Sequence, residues 1–252
     1  MAFMDFKFFS EKLQVSTEAY VIMPQRSTLG QIGINSASGE SKYKCLYLLH
    51  GLSDDHTIWL RRTAIERYAC EHGICVVMPF ANRSFYADMK YGGAYYSYVS
   101  EELPKIMKEF FNISDKREDT YIAGLSMGGY GALKIALRNA ERYCTAIALS
   151  PVANIHSSLF LDTKIPIYGE EQNIPEDDDL YKLVKKKETS PVKPRIYHSV
   201  GTADFMYDDN ERLHEIISKL DYDYTYKAVP NRVHSWDLWD EEIKNALDWA
   251  LK

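Results

Sequence analysis

The 252-residue chain lacks the features that indicate a membrane protein, a nucleic-acid partner or a secreted precursor. It has no run of 18 apolar residues, so we expect no membrane span. Its formal net charge of −6 argues against a nucleic-acid partner, because phosphate recognition needs a basic patch. Residues 1–7 lack the basic start and apolar stretch of a signal peptide.

Cysteine is scarce, and its spacing does not predict a metal site. The four cysteines are Cys45, Cys70, Cys75 and Cys144. All except Cys70 fall in apolar segments that look like core strands, where a buried thiol is ordinary. A reducing cytoplasm is therefore the simplest predicted setting.

The remaining pattern predicts a single α/β domain over residues 1–252. Strand-like and helical segments alternate through most of the chain, which predicts a mostly parallel sheet with helices on both faces. Residues 6–10 and 18–24 instead look like two strands with a short connection, so we expect an antiparallel N-terminal hairpin. The length and the 46% of apolar residues fit one such domain.

The strongest functional signal is the pentapeptide G-L-S-M-G at residues 124–128. It lies between an apolar run at 120–123 and a helical run at 130–137. A G-x-S-x-G motif between a strand and a helix is the nucleophile elbow of α/β-hydrolases. Its tight turn needs flanking glycines and exposes the serine at the strand end, where the N–H groups of the next helix favour developing negative charge. Ser126 is therefore the predicted nucleophile.

An elbow of this kind predicts an acid and a histidine after later strands, in the chain order serine, acid, histidine. Asp204 follows the strand-like run 194–200 in a glycine-containing turn. His234 follows the last strand-like run, 222–229. Ser126, Asp204 and His234 are thus the predicted catalytic triad.

Other residues compete for the acid and base roles. Asp204 could instead cap a helix, and Asp208 and Asp209 are close enough to supply the acid. His198 is predicted to lie within a strand and His214 within a helix, where packing or surface roles are expected. The other competing histidines are His50, His56, His72 and His156.

Acyl transfer also needs N–H donors for the charge that develops on the carbonyl oxygen. The backbone N–H of Met127, the residue after the nucleophile, is one predicted donor. The second donor is expected in the loop after the third strand. The apolar run 44–49 followed by His50-Gly51 indicates that loop, and Leu52 N–H is the predicted donor. An ordinary strand-to-loop turn is the alternative interpretation.

The chain resembles the esterase D-like and tributyrin esterase family of small bacterial carboxylesterases. That family is related to carbohydrate esterase family 1, S-formylglutathione hydrolases and antigen 85 mycolyltransferases. The resemblance spans about residues 44–250 and rests on 46–52 (LYLLHGL), 59–63 (WLRRT), 76–79 (VVMP), 101–104 (EELP), 122–132 (IAGLSMGGYGA), and 234–236 (HSW) with Trp239.

The resemblance implies an α/β-hydrolase fold that hydrolyses a small-molecule ester without a cofactor or a metal. Ser126, Asp204 and His234 match the family's triad one by one. Members often form dimers or tetramers, so a homo-oligomer is one expectation.

Two segments bear on the substrate. S-formylglutathione hydrolases tend to carry Cys-Thr after His-Gly-Leu, whereas Ser53-Asp54 stand here, which disfavours a glutathione thioester. Residues 153–193 occupy the place of a lid and are long enough for two short helices over the site. Within that segment, the acidic run 176–179 and the basic run 185–187 are expected to be solvated helix surface.

Aromatic residues are the predicted walls of the substrate pocket. Tyr86 is the first candidate, because relatives carry an aromatic residue in the loop after the fourth strand. Trp59 and Trp236 are further candidates, and each of the three could equally be a packing residue.

The favoured function is a serine carboxylesterase that cleaves short-chain acyl esters through an acyl-enzyme intermediate. An acetyl or feruloyl carbohydrate esterase is the first alternative, and an S-formylglutathione hydrolase is less favoured. A catalytically silent hydrolase-fold binding protein is the non-enzyme alternative. It is disfavoured because the serine, the acid, the histidine and the oxyanion loop are all present.

Overall fold

Both faces of the inner strands are apolar, and this pattern produces a sheet that is covered by helices on both sides. The computed structural model describes residues 1–25 and 42–251. In strand β3 (Cys45–Leu49) all five residues are buried. Tyr47 and Leu49 pack into the core on one face, while Leu46 and Leu48 pack into the core on the other.

Within the described residues, the strands are β1 (Ala2–Ser10), β2 (Val15–Met23), β3, β4 (Cys75–Pro79), β5 (Thr120–Leu125), β6 (Thr145–Leu149), β7 (Arg195–Gly201) and β8 (Tyr224–Val229). The α-helices in the same residues are α1 (Ile58–Arg62), α2 (Ile65–His72), α3 (Tyr95–Ser97), α4 (Leu103–Phe110), α5 (Met127–Arg138), α6 (Leu161–Tyr168), α7 (Leu180–Lys187), α8 (Tyr207–Ile217) and α9 (Trp236–Ala250). A π-helical turn, Tyr98–Glu102, joins α3 to α4.

The strands form one sheet in the order β1-β2-β4-β3-β5-β6-β7-β8. Strand β2 pairs antiparallel with both β1 and β4, and every other neighbouring pair is parallel. The predicted mostly parallel sheet with an antiparallel N-terminal hairpin is therefore confirmed. Because the parallel strands share one direction, the loops after β3, β5 and β7 meet at the same edge.

The segment between β6 and β7 carries two eight-residue helices, α6 and α7. Helix α7 packs against α5 and α8 rather than across the sheet edge. Much of this segment therefore covers the side of the sheet, and only its beginning approaches the edge where the loops meet.

The charges in this segment are only partly solvated, so the expectation for the acidic run is wrong at two positions. Asp178 and Asp179 are both buried. Asp178 accepts a hydrogen bond of 2.7 Å from the Tyr168 hydroxyl, and it lies 3.4 Å from the Lys134 ammonium and 3.1 Å from Arg138. Lys134 is itself fully buried, and burial lowers its pKa to about 8 although Asp178 acts in the opposite direction.

We expect Asp178→Asn to lower the free energy of unfolding by about 3 kcal/mol, because it leaves the Lys134 charge buried without its partner. Urea unfolding followed by circular dichroism measures the loss. The matched control is Asp177→Asn, which removes a more exposed carboxylate paired with Lys186 at 2.7 Å. The control should lose less than about 1 kcal/mol. Equal losses in the two variants would contradict a structural role for the buried pair.

Candidate active site

Strand β5 ends in a sharp turn that carries Ser126. The serine has φ 53° and ψ −118°, a conformation that residues with a side chain rarely adopt. Its N–H donates to the Leu149 carbonyl at 2.9 Å, and its carbonyl accepts from the N–H groups of Tyr130 and Val152 at 3.0 and 3.2 Å. Helix α5 begins at the next residue, Met127, whose N–H has no acceptor within the helix.

Two glycines of the pentapeptide are required by close contacts between backbone atoms. A Cβ on Gly124 would lie 2.4 Å from the carbonyl group of Gly128. A Cβ on Gly128 would lie 2.4 Å from the Leu49 oxygen and 2.7 Å from the His50 oxygen. Any side chain at these positions would push α5 away from the sheet. The G-x-S-x-G spacing therefore has a direct steric cause.

Asp204 and His234 meet at the same edge of the sheet. Asp204 Oδ2 lies 2.8 Å from His234 Nδ1, and Asp204 Oδ1 accepts from the Met206 N–H at 2.9 Å. Because a carboxylate only accepts, the proton of this bond belongs to Nδ1. The other ring nitrogen, Nε2, is then the basic one. The Asp204 side chain is fully buried and the His234 side chain is mostly buried.

The competing residues lie elsewhere or have other partners. Asp208 is exposed on α8. Asp209 accepts from Asn154 Nδ2 at 3.1 Å and from the Tyr181 hydroxyl. His198 is buried between hydrogen-bond partners on α8 and β8, and burial lowers its pKa to about 4. Of the three candidate acids, the structure brings Asp204 to His234.

Ser126 and His234 open onto one cleft of about 530 Å³ at the sheet edge. The lining comprises residues 51–54, Leu125, Ser126, Phe160, Phe205, residues 234–236 and Trp239. Predicted residues Leu52, Ser126, His234 and Trp236 therefore share this cleft.

His50 holds the loop that carries Leu52. Its Nε2 accepts from the Ala81 N–H at 2.9 Å, so the proton is on Nδ1, which donates to the Gly51 carbonyl at 2.7 Å. The ring is almost fully buried, and burial lowers its pKa to about 4. The Tyr86 hydroxyl donates to the His50 carbonyl at 2.9 Å. The loop after β4 is thus hydrogen-bonded to the loop after β3 through the buried residue His50.

The structure corrects the prediction that Tyr86 and Trp59 are substrate-contacting walls. Both side chains are fully buried, and neither residue lines the cleft. Tyr86 has φ 49° and its hydroxyl is committed to His50. Trp59 donates from Nε1 to the Leu49 carbonyl at 3.0 Å and packs edge-on against Trp236. Both residues are therefore buried packing residues next to residues of the site.

Two aromatic residues that the sequence analysis does not predict line the cleft instead. Phe205 directly follows Asp204, and its ring centroid lies 4.9 Å from that of His234. Phe160 ends the 3₁₀ turn before α6 and packs against Phe85. Adjacency to the predicted acid could have indicated Phe205. No local signal indicates Phe160, because a tertiary contact places it there.

Comparison with known proteins decides the family. A family model described as "Putative esterase" matches residues 10–250. The chain belongs to this esterase family. An acetyl esterase of Caldicellulosiruptor saccharolyticus is 30% identical over 268 residues, which cover 100% of this chain and 99% of that protein.

Two solved structures are similar to this esterase along its whole length. A fluorophosphonate-binding serine hydrolase of Staphylococcus aureus is 33% identical, with a TM-score of 0.88 and coverage of 100% of this chain and 98% of that one. An S-formylglutathione hydrolase of the same organism is 32% identical, with a TM-score of 0.86 and coverage of 100% and 99%.

The α/β-hydrolase fold and the resemblance to esterase D-like enzymes are therefore confirmed. The protein is a carboxylic ester hydrolase, and small-molecule esters are its class of substrate. Among the residues that the structure describes, no helix has the length and apolar character needed to cross a membrane.

Proposed function

We propose that this esterase is a serine carboxylesterase that hydrolyses short-chain acyl esters with Ser126, Asp204 and His234. The observation that carries the proposal is the 2.8 Å hydrogen bond from His234 to Asp204 beside the strained Ser126, at one cleft. Backbone strain of this kind persists only where the surrounding structure enforces it, and it is concentrated at functional sites.

In the proposed mechanism the Ser126 hydroxyl attacks the ester carbonyl while His234 Nε2 takes its proton. The imidazolium then gives this proton to the departing alkoxide, which leaves as the alcohol, and Ser126 is acylated. A water attacks the acyl-enzyme with His234 again as base, which releases the acid and restores the serine. Asp204 fixes the tautomer of His234 and stabilises the imidazolium without taking the proton.

The backbone N–H groups of Leu52 and Met127 are the proposed donors to the oxyanion. Donors that are already in position cost no reorganisation when the charge develops, and each contributes about 3–4 kcal/mol to transition-state stabilisation. The bonds that His50 makes to Ala81 and Gly51 support this role, because they fix the backbone immediately before Leu52.

The charge of the cleft argues for an uncharged substrate. Among the described residues that line it, none is a lysine or an arginine, whereas Asp54 contributes a half-buried carboxyl. Burial, together with the neighbouring Asp55, raises the pKa of Asp54. An acidic group in a cleft whose described lining has no cationic side chain disfavours a substrate with carboxylates of its own.

This argument bears on the second candidate, an S-formylglutathione hydrolase. The 32% identity with the Staphylococcus aureus protein of that name favours it. Glutathione carries two carboxylates, however, and the cleft offers them no cationic side chain within the described residues. The acetyl esterase relative agrees better with a neutral ester, and the aromatic walls would also admit an acetylated or feruloylated sugar.

Three further proposals accompany the enzymatic one. A cytoplasmic setting is supported by four free, buried cysteines. A homo-oligomer remains an expectation from the family. The single domain over 1–252, with its lid-like insertion at 153–193, also remains a proposal, and residues 26–41 and 252 lie outside the described part of the chain.

The first prediction tests the triad. Ser126→Ala should lower kcat by about 10⁴–10⁶, and Asp204→Asn by about 10³–10⁴, since triad members act as a unit. Asp208→Asn, the matched control four residues away, should lower kcat less than about tenfold. The assay is p-nitrophenyl butyrate hydrolysis, with circular dichroism to check the fold. A fluorophosphonate should label Ser126, and labelling of a different serine would refute the assignment.

The second prediction concerns acyl length. Each CH₂ gains about 0.8 kcal/mol only while a pocket encloses it. kcat/KM should therefore rise from acetate to about butyrate and fall beyond roughly eight carbons, where the short cleft no longer encloses the chain. Trp236→Ala should move the optimum to longer acyl groups, whereas Tyr86→Ala should destabilise the core without moving it. A palmitate optimum in the wild type would contradict the short-chain proposal.

The third prediction concerns substrate charge. Asp54→Lys should raise kcat/KM for S-formylglutathione relative to p-nitrophenyl acetate by about tenfold, because it replaces repulsion of the carboxylates by attraction. Asp221→Lys makes the same charge change at an exposed site away from the cleft and should leave the ratio unchanged. If the wild type already preferred S-formylglutathione, the neutral-ester proposal would fail while the triad could still stand.

A further inference from the structure

Three side chains of the kinds that bind metals converge outside the cleft. Asp5 on β1, Glu18 on β2 and His56 in the loop before α1 each offer one ligand atom, and these atoms all lie within 4.8 Å of one another. The antiparallel register explains the two acids. Glu18 pairs with Lys7 and Asp5 pairs with Tyr20, so the carboxylates are diagonal neighbours on one face.

His56 is the unusual member of this cluster. Its side chain is only 8% exposed, and its ring packs edge-on against Tyr20 with centroids 4.7 Å apart. Within residues 1–25 and 42–251 its buried Nδ1 has no hydrogen-bond partner, and Glu18 Oε1 lies 3.6 Å away. A buried polar atom without a partner destabilises the folded protein, because it has lost its hydrogen bonds to water. A ligand held by both His56 Nδ1 and Glu18 Oε1 would give this nitrogen the partner that it lacks.

We propose that Asp5, Glu18 and His56 bind a divalent transition-metal ion, with Zn²⁺ as the best match. Two ligands at about 2.1 Å from a tetrahedral zinc are about 3.4 Å apart, close to the 3.6 Å between His56 Nδ1 and Glu18 Oε1. One imidazole with two carboxylates suits zinc better than the all-oxygen sets that Mg²⁺ and Ca²⁺ prefer. Asp5 and Glu18 are partly exposed, so water can complete the coordination.

Lys7 affects how strongly the proposed site binds a metal ion. Its ammonium lies 3.1 Å from Asp5 and 2.8 Å from Glu18, where it supplies the positive charge that a metal would supply. The Lys7 side chain is 62% exposed, so it can turn into solvent when an ion arrives. The ammonium therefore competes with the metal, and its removal should strengthen metal binding.

A bound ion would link β1, β2 and the segment between β3 and α1. None of the three ligands lines the ester cleft. Metal binding should therefore raise the unfolding temperature while the chemical steps of ester hydrolysis continue without the ion.

The test is isothermal titration of the metal-free full chain with ZnCl₂. The wild type should bind one equivalent in a saturable step. Asp5→Asn and Glu18→Gln should each weaken binding at least about tenfold, because each removes a charged ligand. Lys7→Met should tighten binding several-fold. Asp221→Asn, which removes an exposed carboxylate from its pair with Lys193, is the matched control and should change nothing.

The variants lie on the partly exposed face of the hairpin, and circular dichroism checks that each one folds. No saturable binding by the wild type would overturn the proposal. Binding that is unchanged in Glu18→Gln would also overturn it, because the ion would then occupy another histidine-carboxylate pair, such as His72 with Asp248. Unchanged affinity in Lys7→Met would show that the metal does not bind between these carboxylates.

Discussion

The structure of the candidate active site depends on the contact between the first turn of α5 and the end of β3. Gly128 approaches Leu49 and His50 so closely that a Cβ atom could not fit between them. This contact brings the start of α5 beside the loop that carries Leu52. Ser126, the proposed nucleophile, and the loop that carries Leu52 are thus positioned by backbone atoms, whose geometry varies less than that of side chains.

A connected set of buried polar groups ends at His50, one of the residues in that contact. Asp178 pairs with Lys134, and the Lys134 ammonium donates to the Phe85 carbonyl at 3.0 Å. The next residue, Tyr86, donates to His50. The segment between β6 and β7 is in this way connected to the loop that carries Leu52 through the protein interior. Phe85 and Tyr86 both have positive φ values, and these hydrogen bonds help to hold them in that conformation.

The sequence predicted the positions of those residues of the candidate site that depend on local patterns. Gly128 and Ser126 belong to one turn, and Asp204 and His234 follow strands whose apolar runs are visible. Strand ends at one sheet edge must converge, so the positions of these residues follow from topology.

Side-chain direction was predicted less well. Tyr86 turns into the core because its backbone is left-handed, and no sequence pattern indicated this conformation. Phe160 reaches the cleft through a tertiary contact with Phe85. Asp178 looked like part of a solvated charge run, because its partners Lys134 and Arg138 are 40 or more residues distant along the chain.

The separation between backbone and side-chain roles has a consequence for how such an enzyme can diverge. The turn at Ser126 depends on Gly124 and Gly128, where backbone contacts leave no room for a side chain. Phe160, Phe205 and Trp236 form walls of the cleft from three separate segments. A duplicated gene could therefore acquire a new acyl or alcohol preference by single substitutions at one wall, with the backbone around Ser126 unchanged throughout.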